Sequence, residues 1–354
     1  MLRIGILDGD DIGPEIVPET VKVMHRAAEL AKLDLDWVKL PIGRRALDEF
    51  GTTLPPETLS SLEELDGWVL GPIGHQAYPK IQAAVNPHPI LRKRFDLFAN
   101  IRPARSYPTL PCLHQGVDLV IVRENNEGFQ PDRNVVAGSG EFRPSEDMTI
   151  SVRVITRQGS SKVARAAFEL ARHRRRKLTA VHKNTVFKLG CGMFAEECRG
   201  IAAEFPEVEY GEVMVDTFAM KLAMKPQQFD VVVTTNMFGD ILSDEAAGLV
   251  GGLGMAPGLC AGTRAAMAQA THGSAPDIAG KGIANPYAMI MSGQMLLDWL
   301  GRRHDEPRAV AAAASIKAAV DRVIETRDAL TPDLGGDAST QQMGSAIAAA
   351  IGVA

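Results

Sequence analysis

Short runs rich in β-branched residues, each closed by Gly, Pro or Asp, alternate along this chain with longer stretches whose apolar residues recur three and four apart. The first pattern suits a buried strand and the second an amphipathic helix laid against it. Strands are predicted at 3–7, 67–70, 119–123, 149–156, 178–182, 212–215 and 230–234, and helices at 14–32, 159–173, 185–204, 217–224, 243–249, 286–300 and 309–326. Such alternation implies an α/β protein with a largely parallel sheet and helices packed on it. The chain shows neither an internal repeat nor a low-complexity tract, which argues against solenoids and propellers. Residues 128–150, rich in Gly, Pro, Arg and Glu, read as a long excursion or arm.

A length of 354 residues suits two domains or one large α/β unit. Lys and Arg number 38 against 43 Asp and Glu, a net charge of −5, so a basic face for nucleic acid is not expected. The run RHRRRK at 172–177 reads as the solvated end of a helix, where cations suit the dipole. Cys112, Cys191, Cys198 and Cys260 form no CxxC pair, so neither a disulfide framework nor a zinc knuckle is indicated. The N-terminal apolar stretch meets Asp8 at once, and the least polar segment, 246–262, is broken by six glycines and a proline. These features predict a soluble cytoplasmic protein with no membrane or nucleic-acid partner.

The segment DVVVTTNMFGDILSDEAAGL at 230–249 is the most informative. A buried strand runs into Asn236 and Gly239, and a helix is expected to begin at Asp240, with Asp244 four residues on and on the same face. Two hard oxygen donors on a rigid element suit Mg²⁺ or Mn²⁺. The ordinary alternative is that Asp240 caps the helix and Asp244 favours its dipole. A third carboxylate, Asp216, ends another predicted strand in MVDTFAM.

The loop HGSAPDIAGKGIANP at 272–286 is built of small residues that let backbone N–H groups approach a ligand. Its candidates for a dinucleotide are His272, Gly273, Ser274, Ala275, Asp277, Ile278 and Asn285. Asp277 could accept from the two hydroxyls of an adenosine ribose and would repel a 2′-phosphate, favouring NAD over NADP. The spacing is not a GxGxxG after a strand, so no Rossmann fingerprint is present, and a structural turn explains the segment equally well. A basic cluster supplies Arg92 and Arg102 in ILRKRFDLFANIRP and Arg123 in VREN. Their guanidinium forks could converge on the carboxylates of a small polyacid, against the commoner reading of solvated surface arginines.

Taken in order, LDGDDIGPEI, LRKRFDLFANIRP, VREN, HK at 182–183, VDTFAM, NMFGDILSD and HGSAPDIAGKGIANP resemble the isocitrate and isopropylmalate dehydrogenase family of metal-dependent β-decarboxylating dehydrogenases, which includes homoisocitrate, tartrate and D-malate enzymes. The resemblance implies that family's two-domain α/β fold, not Rossmann, with a discontinuous large domain at 1–97 plus 250–354 and a small domain at 98–249. It also implies a homodimer with shared active sites. Substrate carboxylates then fall to Arg92, Arg102 and Arg123, the metal to Asp240, Asp244 and a second subunit's Asp216, and the catalytic lysine to Lys183, also from the second subunit. Asp216 and Asp240 are counted with Lys183 as the catalytic set.

The expected reaction is NAD-dependent oxidative decarboxylation of a 2-hydroxy di- or tricarboxylic acid, assisted by Mg²⁺ or Mn²⁺. One departure falls at the chemistry. The family's tyrosine, seven residues beyond the arginine of VREN, is Gln130 here, or Phe129 with a one-residue slip. The alternatives are therefore a binding homologue with impaired turnover, or oxidation without efficient protonation of the enolate. Asp8 and Asp11 stand where the family shows Pro and Gly, and Thr185 where it shows Asn. The segment before Arg92, where relatives recognise the C3 group, reads VNPHPI, without the leucines of isopropylmalate enzymes or the Ser and Asn of isocitrate enzymes. Asn86 and His88 could meet a polar substituent, leave room for a bare methylene, or simply cap the following helix.

Overall fold

The computed structural model describes residues 1–130 and 138–353, so part of the expected 128–150 arm lies outside the described residues. In chain order the strands are β1 (Leu2–Leu7), β2 (Leu35–Lys39), β3 (Gly67–Leu70), β4 (Ala99–Arg105), β5 (Asp118–Glu124), β6 (Glu141–Ser145), β7 (Met148–Ser151), β8 (Lys177–His182), β9 (Glu209–Met214), β10 (Val231–Thr234), β11 (Leu259–Ala261) and β12 (Ala266–Ala268). The helices are α1 (Gly13–Ala31), α2 (Gly43–Phe50), α3 (Pro56–Glu63), α4 (Pro87–Arg94), α5 (Arg157–Arg172), α6 (Gly190–Ala202), α7 (Val215–Met224), α8 (Asn236–Val250), α9 (Tyr287–Arg303), α10 (Pro307–Thr326) and α11 (Thr340–Ala350).

The chain divides into two compact units. The first comprises Met1–Ile90, Tyr107–Cys112 and Gly251–Ala354, the second Leu91–Ser106 and Leu113–Val250. The division therefore falls near residue 90, where the sequence places it at 97. Residues 91–97 side with the second unit because the Leu97 amide donates to the Arg92 carbonyl and the Leu97 carbonyl accepts from Asn125. Residues 107–112 side with the first, where the Tyr107 hydroxyl donates to Asp321 and Thr109 to the Ile324 carbonyl.

In the first unit the strand order is β2-β1-β3-β12-β11, parallel except for the β11–β12 pair. Helices α1, α9, α10 and α11 pack on one another beside it. Gly293 permits the α1–α9 contact, since a Cβ there would lie 2.6 Å from the Met24 sulfur.

In the second unit the order is β4-β5-β10-β8-β9, with only β4 antiparallel to its neighbour. Alternate side chains feed two cores. Val120, Val122, Leu178, Ala180, Val231 and Val233 meet α5 and α6, while Leu119, Ile121, Val181 and Val232 meet α7 and α8. Burial on both faces is why these strands read as unbroken apolar runs. The β6–β7 hairpin, by contrast, is exposed along both strands.

Several expected boundaries move. The strand expected at 149–156 is the hairpin strand β7, and the helix expected from residue 185 begins at Gly190. Helix α8 begins at Asn236, so Asp240 sits a full turn inside it and is not its cap. The RHRRRK run is not merely a solvated helix end: Arg174 and the Arg175 amide both bond the buried Asp230, at 2.8 and 2.9 Å. Among the described residues no helix is long and apolar enough to cross a membrane.

Candidate active site

In the second unit, β4 and β5 carry Arg102 and Arg123 as diagonal neighbours, Arg102 opposite Ile121 and Arg123 opposite Asn100, and both are buried, at 7% and 3% exposure. Buried guanidinium groups need counter-charge and acceptors. Arg123 donates through Nε and Nη2 to Asn236 Oδ1, at 3.0 and 2.6 Å, and through Nη1 to Asp240. Arg102 donates to Asn100 at 3.2 Å, to Ser243 at 2.7 Å and to Asp240 at 3.0 Å, with Asp244 at 3.6 Å. Helix α8 comes this close to β5 because residue 239 is glycine: a Cβ there would lie 2.6 Å from that of Arg123. The outer edges of Asp240 and Asp244 remain about half exposed. Burial, reinforced by the charge of Asp240 and opposed by that of Arg102, pushes the Asp244 carboxyl above its ordinary range. Arg92, on α4, is buried as well, so none of the three arginines is a solvated surface residue.

Lys183 and Asp216 form a second cluster. They follow the C-terminal ends of the parallel neighbours β8 and β9, where His182 pairs in register with Met214. Lys183 Nζ lies 2.7 Å from Asp216 Oδ1, and this hydrogen bond holds the Asp216 carboxyl below its usual range. Beneath them, fully buried His182 bonds Glu212 at 3.0 Å, and Glu212 is held in turn by Arg199 and Tyr210. Thr185 reaches the Met214 sulfur, at 3.9 Å. One chain thus brings Asp240 and Asp244 together and keeps Asp216 with Lys183. Among the described residues no three His, Cys, Asp or Glu side chains form a group that could hold a metal ion.

Gln130 joins the arginine cluster through Asn236, whose Oδ1 also accepts from its Nε2 at 3.2 Å. Phe129 turns instead toward Phe187 and Arg153. The Asn236 amide nitrogen donates to Glu124 at 3.3 Å, and burial pushes that carboxyl up to about 7. Sequence reasoning placed Asn236 only where the strand ends and gave Glu124, within VREN, no role of its own. Their role depends on partners more than 100 positions away, as the 112- and 113-residue separations show.

The 272–286 loop belongs to the first unit. His272 Nδ1 bonds the Gly273 carbonyl at 2.9 Å, which leaves Nε2 as the acceptor nitrogen. That atom is buried and has no partner among the described residues, and burial lowers the imidazole pKa. The Ser274 carbonyl accepts from Ile12, Ala275 has φ +45°, and Gly273 and Asp277 are exposed. The Ile278 amide turns back to Ala275 at 3.2 Å, and the Gly280 amide donates to Glu15 at 2.6 Å. Asn285 is spent internally, accepting from the Tyr287 amide and donating to Asp333, both at 2.9 Å. Asp11, where glycine was expected, has φ +49°, a left-handed conformation Asp tolerates better than most residues. Asn86 caps α4, its Oδ1 accepting from the His88 amide at 3.1 Å, and the His88 ring meets the Gln269 amide at 2.7 Å.

The family model for isocitrate/isopropylmalate dehydrogenase matches residues 3–347. The chain is 41% identical to 3-isopropylmalate dehydrogenase of Archaeoglobus fulgidus, covering 98% of this chain and 99% of that one. It is also 41% identical to isocitrate/homoisocitrate dehydrogenase of Thermus thermophilus, covering 99% and 98%. A crystal structure of isocitrate dehydrogenase from Methylococcus capsulatus superposes with a TM-score of 0.84 at 41% identity, covering 99% of both chains. The chain therefore belongs to the isocitrate/isopropylmalate dehydrogenase family and is an oxidoreductase of that family.

Proposed function

We propose that the protein catalyses NAD-dependent, divalent-metal-assisted oxidative decarboxylation of a 2-hydroxy di- or tricarboxylic acid, as a homodimer in the reducing cytoplasm. The observation that carries this reading is the pair of buried arginines whose charge is met by two half-exposed carboxylates on one helix face. Cationic forks suit the carboxylates of the substrate, and paired hard oxygens suit Mg²⁺ or Mn²⁺.

The donor set fits a metal in one respect and is short in another, since Asp240 and Asp244 supply two ligands and Asp216 stays with Lys183 in the same chain. A second copy supplies the remainder in this reading. Its docking is supported by Met220 and Met224 on α7 and Met237 and Ile241 on α8, large apolar side chains left exposed. The exposed β6–β7 hairpin points the same way, because two strands alone are marginally stable in water. The loop fits a dinucleotide: the buried, neutral His272 Nε2 wants a donor such as an adenine amino group, and exposed Asp277 is available to ribose hydroxyls.

Asp240 and Asp244 would hold the divalent ion and the 272–286 loop the dinucleotide, which when bound would supply Lewis-acid and hydride-acceptor chemistry respectively. Arg92, Arg102 and Arg123 hold and orient the acid's carboxylates. Lys183 of the second copy takes the proton of the C2 hydroxyl, directly or through water. Gln130 steadies Asn236 and Arg123 and has no acidic proton to give, so after loss of CO₂ the carbon is protonated by water or Lys183. That substitution also favours a second reading, a homologue that binds the acid and turns it over poorly.

Following NADH absorbance with malate, tartrate, isopropylmalate, isocitrate and homoisocitrate, with and without Mn²⁺, tests both readings. Metal-dependent NADH from at least one acid is expected, and Lys183→Met should lower it about a hundred- to ten-thousandfold. Calorimetric binding of an acid with no NADH from any would leave the second reading standing.

A further inference from the structure

Lys183 is preceded by a histidine that the reaction proposed above does not use. His182, the last residue of β8, is fully buried, and its Nε2 lies 3.0 Å from Glu212 Oε2 on the parallel neighbour β9. Glu212 also accepts from Arg199 of α6, at 2.7 and 3.2 Å, and from the Tyr210 hydroxyl at 3.0 Å. Burial alone would raise this carboxyl, but the hydrogen bonds from Arg199, His182 and Tyr210 outweigh it and hold it below its ordinary range. An ionised carboxylate only accepts, so His182 Nε2 carries the ring proton. Nδ1 is left as the acceptor and meets the Asn184 amide at 3.5 Å. On its other side the Lys183 carbonyl accepts from the Val186 and Phe187 amides, at 3.1 and 2.9 Å. The backbone of Lys183 is thus fixed from both directions, and its side chain ends 2.7 Å from Asp216.

Resting on the role of Lys183 proposed above, we infer that Glu212 and His182 are positioning residues for that lysine: Glu212 fixes the tautomer and orientation of the His182 ring, and the ring fixes the turn at 183–184 from which Lys183 reaches out. A long lysine stem amplifies any tilt of its backbone, so Nζ stands only as accurately as that turn is held. Neither residue touches the substrate, and no proton passes between them and Lys183. The ordinary alternative is a buried polar network that merely fastens α6 to the sheet. The two differ in what they cost when broken, since fastening affects stability and positioning affects turnover through Lys183 alone.

The test follows NADH formation by the Mn²⁺-loaded full chain with whichever acid of the panel supports it. Glu212→Leu should lower kcat about ten- to a hundredfold, while KM and the calorimetric affinity for the acid stay within about twofold. Glu212→Gln keeps an acceptor for the Nε2 proton and should recover most of the loss. Arg199→Leu, at a half-exposed position, should lower kcat by only about threefold. In a Lys183→Met background neither Glu212→Leu nor Arg199→Leu should add a further loss, because residues that act through one group are not additive. Nitrogen NMR of the lysine ammonium groups, assigned with Lys183→Met, reads the same geometry without substrate. The Lys183 signal should exchange slowly in wild type, held by Asp216, and broaden in Glu212→Leu. An unmoved kcat in folded Glu212→Leu, or an equal loss in the Lys183→Met background, overturns the inference. Should Glu212→Leu not fold, the same measurements on Arg199→Leu decide. If no acid yields NADH the proposed reaction fails, and the Lys183 ammonium signal alone decides for or against the positioning role.

Discussion

The arginine cluster of the second unit and the 272–286 loop of the first meet the same problem, polar groups removed from water, and solve it in opposite ways. Around Arg102 and Arg123, Asn100, Asn236, Asp240 and Ser243 accept from the guanidinium nitrogens within one chain. In the loop His272 Nε2, and on α1 beside it Glu15 Oε2, are buried without partners among the described residues. The first region is therefore preorganised, its charges held before any acid arrives. The second keeps polar atoms without partners among the described residues, which the proposed dinucleotide would complete. Substitution should lower stability in the first region and spare it in the second, while impairing ligand binding in both.

The sharpest break in that contrast would come from Asp240. Asp240→Asn removes the charge that both buried arginines share, so thermal unfolding should show a loss of about 2 kcal/mol, below the usual cost of breaking a fully buried pair because Asp240 is half exposed. Metal-dependent NADH formation should fall roughly a thousandfold. Unchanged stability would mean that the arginines do not depend on it.

Glu124 gives the next effect. Burial raises its folded carboxyl to about 7, above the ordinary value of 4.5, so the folded chain binds the proton more tightly than the unfolded one. The stabilisation is complete below about 4.5 and is lost as the pH rises through about 7, by up to roughly 3 kcal/mol. Glu124→Gln should flatten the dependence of stability on pH between about 5 and 8. A slope identical to that of wild type, read from denaturant midpoints, would locate the titrating group elsewhere.

What the sequence disclosed follows from what its patterns encode. The spacing of Asp240 and Asp244 fixes a shared helix face wherever the helix starts, so that reading survived a four-residue error in the start of α8. The error arose because Asn236 and Gly239 are turn formers, and here they serve tertiary contacts instead, with Glu124 and Arg123. Strands β2 and β4 went unseen because LDWVK and ANIRPAR interleave charges and a proline with their apolar residues. Charge is legible in a sequence and burial is not: Arg102 and Arg123 meet Asp240 from 138 and 117 positions away. The partner of Asn285 is hidden for the same reason, since Asp333 lies 48 residues on.

The loop should yield the smallest effect on folding and the most discriminating sign. His272→Leu deletes an unpaired buried acceptor at similar volume, so the melting temperature should hold or rise, by no more than about 1 kcal/mol of stability. The same change removes the atom proposed to receive a donor from the dinucleotide, and NAD affinity by calorimetry should weaken about tenfold. Loss of stability together with unchanged affinity would make His272 a packing residue like those around Arg123, and the contrast between the two regions would fail at its simplest point.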